Sequence, residues 1–264
     1  MIDERRIDHA GARIFARAEG PEGAPWVVFS NSLFTDHRLW DSQVAWLAET
    51  HRVLRYDHRG HGASTASFGA YDFTLLTGDL DAVITAFGAQ KPALVGLSIG
   101  AATVLRHAAT RPGVASRVLA SDGQWGTAPG GRDAWLARVA QAEAGGLEPL
   151  VEPTIDRWFT PPTLAAAPPV LDHARAMMRA TSVEGYCGCG RALADFDHRA
   201  DFPGLALPVT FLAGAADVGL IPALKAMQAA TPGSRYVEVP AAGHLPNLEN
   251  PAGFAAELRV FLGV

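Results

Sequence analysis

Cysteine is nearly missing from this chain of 264 residues: Cys187 and Cys189 are the whole supply. Two thiols one residue apart build no disulfide framework, and no second pair is on hand to complete a zinc site, so a reducing, cytoplasmic setting is expected. Excess positive charge is missing too. Lys and Arg number 22 against 27 Asp and Glu, a net charge of −5, which leaves no basic footprint for nucleic acid. No apolar run approaches the roughly 20 residues that span a bilayer. The opening MIDERRIDHAGARIF begins on charge instead of the apolar stretch of a signal peptide. Internal repeats and low-complexity linkers are absent as well. What the chain has in quantity is apolar side chain to bury: 48% of residues are hydrophobic and 19% charged. That balance excludes disorder and predicts a soluble globular protein with neither nucleic acid nor membrane as partner.

Short apolar runs alternate with helical patterns along the chain. RIFARAEG (13–20), 26–30, 51–57, 92–97, 116–121, 208–214 and 235–240 read as strands. Between them lie helical stripes at Leu39–Glu49, Phe73–Phe87, Ser98–Arg111 and Ile221–Thr231, and a last helix opens at Asn250–Pro251, a cap followed by proline at the first helical position. Continuous apolar strands separated by helices predict an α/β fold with a mostly parallel sheet covered on both faces. The alternation lapses between about 130 and 200, where only helix-like stripes occur, such as Trp135/Leu136/Val139 and Val170/Leu171/Ala174/Met177/Met178. We expect a core of residues 1–129 and 201–264 with a helical cap, 130–200, inserted over the carboxyl ends of the strands, where open α/β sheets place their sites.

One serine stands out. In ALVGLSIGAA (93–102) an apolar strand runs straight into Gly96-Leu97-Ser98-Ile99-Gly100 and then into a helix. A strand-to-helix turn this tight leaves no room for side chains two residues either side of the serine, and it lifts the hydroxyl off the turn at a helix N-terminus. A serine hydroxyl is a poor nucleophile without a base, and the base needs an orienting acid. In the chain order serine, acid, histidine, Asp217 follows the strand 208–214 and His244 follows the strand 235–240, so both fall at the same sheet edge as Ser98. Asp122, after the strand 116–121, is a rival acid. Backbone N–H donors for an oxyanion are expected from Ile99, the residue after the serine, and from Leu33 in SNSLFTD (30–36), a loop whose turn Asn31 and Ser32 shape. The histidines of YDHRGHGAS (56–64) sit in glycine-punctuated turn chemistry without metal-ligand spacing, so no metal is expected.

Taken together, SNSLFTDHRLWDSQ, RVLRYDHRGHGAS, GLSIG, RWFTP, EGY and AAGHLPNLENP resemble the β-ketoadipate (3-oxoadipate) enol-lactonases of the α/β-hydrolase superfamily, from about residue 10 to 262. The more specific features are Asn31-Ser32 in place of the usual His-Gly, Trp40, the run Arg157–Thr160, and Gly185-Tyr186. The resemblance implies an α/β-hydrolase fold with a helical cap, Ser98, Asp217 and His244 as the triad, and hydrolysis of a small enol-lactone without a cofactor. Three departures bear on the substrate. Phe34 stands where the family usually carries glycine, Gln124-Trp125 stands where a basic residue is common, and the acid loop reads ADVGLIP. Phe34, Trp125 and the cap residues Trp135 and Arg138 are expected to shape the substrate pocket, with Arg38 and Arg138 as the remaining cations, so weaker recognition of a carboxylate is expected. The competing readings are a carboxylesterase or perhydrolase of a small neutral ester, and a ligand-binding protein on the same fold. Keeping all three triad positions argues against the last.

Overall fold

A computed structural model describes residues 2–264. The strands are β1 (Asp3–His9), β2 (Ala12–Glu19), β3 (Trp26–Ser30), β4 (Arg52–Tyr56), β5 (Ala93–Leu97), β6 (Arg117–Ser121), β7 (Val209–Gly214) and β8 (Arg235–Val239). They form one sheet in the order β1-β2-β4-β3-β5-β6-β7-β8. The β1–β2 and β2–β4 pairs are antiparallel and the pairs from β4 to β8 are parallel. The helices are α1 (Asp41–Leu47), α2 (Phe73–Phe87), α3 (Ile99–Thr110), α4 (Gly131–Gly145), α5 (Glu148–Trp158), α6 (Pro161–Ala166), α7 (Pro169–Arg179), α8 (Val183–Ala194), α9 (Ile221–Ala229), α10 (Pro246–Glu249) and α11 (Pro251–Leu262).

Successive residues of a strand face opposite sides of the sheet, and the two sides bury separate cores. Val27 and Phe29 of β3, with Val95 and Leu97 of β5, belong to one core, while Val28 and Leu94 belong to the other. Both faces of β3 to β7 are therefore covered, which is why those strands read as unbroken apolar runs. β1 is different. Its sequence DERRIDH is largely exposed at the sheet edge, where its charges discourage pairing with another chain. Helices α4 to α8 all lie between β6 and β7, the stretch where the sequence carries no strand pattern. Arg59 and Asp79, both without solvent exposure, make a two-pronged ion pair at 2.7 and 2.6 Å that ties the loop after β4 to α2. No helix among the described residues is long and apolar enough to cross a membrane.

Five histidines are buried in this fold: His51, His58, His61, His107 and His198. Desolvation lowers all five and pushes His58, His61 and His198 down to about 4. A free imidazole titrates near pH ~6.5. Between that value and about pH 4 the unfolded chain takes up protons that the folded chain refuses, so acid favours unfolding. One buried acid, Asp122, pulls the other way, because burial raises its carboxyl above the ordinary range. Stability measured by denaturant titration should fall from pH 7 to pH 5, the imidazoles of His58, His61 and His198 each contributing about 2 kcal/mol against the opposing contribution of Asp122. A free energy that does not fall over that range would overturn this expectation.

Candidate active site

Ser98 sits between β5 and α3 with φ 58° and ψ −116°, a backbone conformation that costs a non-glycine residue on the order of 1–3 kcal/mol. The surroundings force it. The Ser98 N–H donates to the Ser121 carbonyl of β6 at 2.9 Å, and the Ser98 carbonyl accepts from Ala102 of α3 at 3.2 Å. A Cβ on Gly96 would run into the Gly100 carbonyl, and a Cβ on Gly100 into the carbonyls of Ser30 and Asn31. The serine turn and the loop after β3 thus press on each other with only hydrogens between.

His244, in the loop after β8, meets Asp217 through Nδ1 and Oδ2 at 2.7 Å. A carboxylate accepts, so Nδ1 donates and Nε2 is left to face the cavity as an acceptor. The histidine is held from behind. Its backbone N–H donates to the Trp158 carbonyl at 2.8 Å, and the Trp158 ring stacks on the imidazole with centroids 5.8 Å apart. Glu249 completes the clamp: its carboxylate accepts from the Gly243 N–H at 2.6 Å, the Thr160 N–H at 2.8 Å and the Thr160 hydroxyl at 2.6 Å. The histidine loop is in this way bolted to the junction of α5 and α6.

Asp122, the rival acid, occupies the end of β6 at φ 46° and is completely buried. It accepts from the Gly214 N–H at 2.8 Å and the Ser121 hydroxyl at 2.7 Å. Burial, and then the charge of Asp217, hold its carboxyl well above the ordinary carboxylate range. The His244 imidazole bonds Asp217, while the Asp122 oxygens are taken up by Gly214 and Ser121. Asp122, Asp217 and His244 bring ligand-type atoms within 4.8 Å of one another, as do Asp36, His37 and Asp57. The second group spends its oxygens internally: Asp57 accepts from the His37 N–H, its ring and the Ala63 N–H, and Asp36 grips Arg38.

The loop after β3 is braced on every side. Asn31 donates to the Tyr56 carbonyl at 2.7 Å and accepts from the Trp40 indole at 2.9 Å, which accounts for Asn31 and Trp40 occurring together. The Ser32 carbonyl accepts from the Thr35 hydroxyl at 2.8 Å and its N–H at 3.3 Å. Because a trans peptide points its N–H opposite to its C=O, the Leu33 N–H is turned away from Thr35. Among the described residues neither the Leu33 nor the Ile99 amide donates to a protein group. Phe34 follows at φ 69° with its ring edge-on to Tyr186, centroids 4.9 Å apart. Gly185 meanwhile lies against Gly60 so closely that neither position has space for a Cβ. Gly185-Tyr186 therefore works as a unit that seats α8 on two loops at once.

These groups surround a cavity of about 330 Å³. Leu33, Phe34, Ser98, Asp217 and His244 line it from the sheet side, and Trp135, Arg138, Trp158 and Tyr186 from helices α4, α5 and α8. Trp125 is not brought there. Its indole packs on Phe202 with centroids 5.0 Å apart, while its neighbour Gln124 lines the cavity. Arg38 is likewise spent, paired with Asp36 at 2.6 Å. A second cation takes part instead: Arg157, which opens the run Arg157–Thr160 in the last turn of α5, lines the cavity beside Arg138. Burial, and then the charge of Arg138, lower the proton affinity of its guanidinium. The Arg138 guanidinium lies over the Trp135 ring at 4.9 Å, and neither arginine has an acidic partner among the described residues.

The profile of the Alpha/beta hydrolase family matches residues 27–257. The chain is 32% identical to 3-oxoadipate enol-lactonase 1 of Acinetobacter baylyi, over 100% of this chain and 95% of that protein. Its fold superposes on the crystal structure of the enol-lactonase from Burkholderia xenovorans LB400 with a TM-score of 0.92 and 32% identity, covering 99% and 100% of the two chains. A hydrolase from Pseudomonas aeruginosa PA01 matches with the same TM-score of 0.92 at 30% identity, over 100% of this chain and 98% of that one. By profile, sequence and fold alike, the chain is a hydrolase that belongs to the α/β-hydrolase family, alongside the 3-oxoadipate enol-lactonases.

Proposed function

We propose that this protein opens a small lactone, one like 3-oxoadipate enol-lactone, by acyl-enzyme chemistry at Ser98, with His244 as base and Asp217 as its orienting acid. The observation that carries the reading is a single cavity that holds Ser98, the bonded His244–Asp217 pair and two arginines without acidic partners. The Ser98 Oγ attacks the lactone carbonyl as His244 Nε2 takes its proton. The oxyanion forms between the amides of Leu33 and Ile99. Cleavage of the ring C–O bond releases an enolate oxygen, which receives the proton from His244, and the opened chain stays esterified to Ser98. Water, activated by the same imidazole, then cleaves that ester and regenerates the serine. Nucleophile, base and water balance the reaction, so no cofactor enters. Helices α4 to α8 serve as the cap, and Arg138 and Arg157 receive the carboxylate that such a lactone carries.

Replacing Ser98 by alanine should lower turnover by about 10⁴-fold or more while the fold persists, read as kcat beside a circular dichroism spectrum. Asp217→Asn should cost about 10⁴-fold in kcat, and Asp122→Asn much less, because the imidazole bonds Asp217 while Asp122 is bonded to Gly214 and Ser121. The reverse ranking would move the orienting acid to Asp122.

For the substrate, kcat/KM for 3-oxoadipate enol-lactone should fall about ten- to a hundredfold in Arg157→Ala or Arg138→Ala, the cost of one charged hydrogen bond in a desolvated site. The same variants should leave a short neutral p-nitrophenyl ester nearly untouched. Equal losses on both substrates, or a wild-type preference for the neutral ester, would favour the esterase reading instead.

A further inference from the structure

The loop that carries Leu33 has an unusual support. Phe34 occupies the left-handed region, φ 69°, where a bulky side chain is disfavoured and glycine is at ease. Something must hold it there. The Phe34 N–H donates to His61 Nε2 at 3.2 Å, and His61 Nδ1 lies 3.1 Å from the Arg59 carbonyl. A carbonyl accepts, so Nδ1 carries the proton and Nε2 offers its lone pair to Phe34. His61 has no solvent exposure, and burial keeps the ring neutral at ordinary pH, which leaves that lone pair free. On the other side of Leu33, Thr35 holds the Ser32 carbonyl through both hydroxyl and N–H. The Ser32–Leu33 peptide, which presents the Leu33 N–H, is therefore held at its carbonyl by Thr35, and the next peptide, Leu33–Phe34, is held at its N–H by His61.

We propose that His61 is a positioning residue for hydrolysis: by accepting the Phe34 N–H it holds a strained loop in the orientation that aims the Leu33 N–H at the developing oxyanion. The inference rests on Leu33 as oxyanion donor in the function proposed above. Without the imidazole acceptor, Phe34 relaxes toward negative φ and the Leu33–Phe34 peptide turns with it, carrying Leu33 and the N–H it presents. Because the oxyanion exists only in the transition state, the loss falls on kcat and not on KM.

The test compares His61→Leu, which removes the acceptor, with His61→Gln, whose Oε1 reaches the place of Nε2, and with Thr35→Val, which removes the hydroxyl on the Ser32 carbonyl. Removing an oxyanion donor costs about 10²–10³-fold in kcat, and His61→Leu should approach that with KM within about threefold, the margin a purely ground-state effect would exceed. His61→Gln should recover at least a tenth of wild-type kcat, and Thr35→Val should lose several-fold in kcat at unchanged KM. A trifluoromethyl ketone, which forms the oxyanion at the serine, should weaken in proportion to kcat/KM across the three. If folded His61→Leu keeps wild-type kcat, or loses affinity for substrate and ketone equally, the positioning role is overturned while Ser98→Ala still reports the nucleophile. If Ser98→Ala remains active, the underlying reading fails instead. Should His61→Leu not fold, His61→Gln and Thr35→Val decide: Thr35→Val at wild-type kcat, or His61→Gln as poor as an inactive loop, overturns it.

Discussion

The first turn of α3 passes so close to the end of β3 that no side chain fits between them, and the rest of the site follows from that contact. Gly100 lies under the carbonyls of Ser30 and Asn31, and Gly96 under the carbonyl of Gly100. Alanine at either position would drive backbone into backbone, with nothing flexible to yield. The strain accepted at Ser98, φ 58°, is offset by the bonds that anchor it to β6 and α3. The result is a serine at a helix N-terminus held against the loop 31–35, with their closest approach made backbone to backbone and no side chain between them.

Electrostatics divides the acids of the site into two kinds. Asp122 and Asp217 come close enough to feel each other, and two neighbouring carboxylates in a poorly hydrated place cannot both ionise at ordinary cost. Asp122 has no exposure, and burial and then the charge of Asp217 raise its carboxyl above the ordinary range, whereas Asp217 is partly exposed and keeps His244 as its partner. Asp122 is then best understood as part of the framework: it receives the Gly214 N–H and so joins β6 to the end of β7 from which the Asp217 loop departs.

The parallel strands and the residues that follow them were legible because both obey short-range rules. Apolar runs covered on both faces announce β3 to β7, and residues just past strand ends must gather at one edge of a parallel sheet, so Ser98, Asp217 and His244 could be named together. β1 was not legible, since DERRIDH is polar at nearly every position and becomes a strand only by pairing with β2. The neighbours Gln124 and Trp125 diverge: Gln124 faces the cavity while Trp125 packs on Phe202, a choice made by the chain's path after β6. Arg157 stands in the run Arg157–Thr160, but the sequence does not mark it as a pocket cation, for a related reason. A helical stripe shows which face is apolar, but not that the last turn of α5 overhangs a cavity. Nor does a sequence show that Asp36 has already claimed Arg38.

What distinguishes this molecule from a sheet with a loose cover is where the helices between β6 and β7 are attached. One attachment is Glu249, which bonds Thr160 and Gly243 and so connects α5 and α6 to the loop of His244. Another is Gly185-Tyr186, which presses on Gly60 and Phe34 and so connects α8 to the loops after β3 and β4. A third is His173 of α7, whose Nε2 lies 3.1 Å from the Arg38 carbonyl. The first two land on the segments of His244 and Phe34, which line the cavity. Any shift of α5 or α8 must therefore displace His244 or Phe34 with it. The cavity wall and the segments of His244 and Phe34 form one mechanical unit, so a substitution that reshapes the wall also moves the residues that line the sheet side.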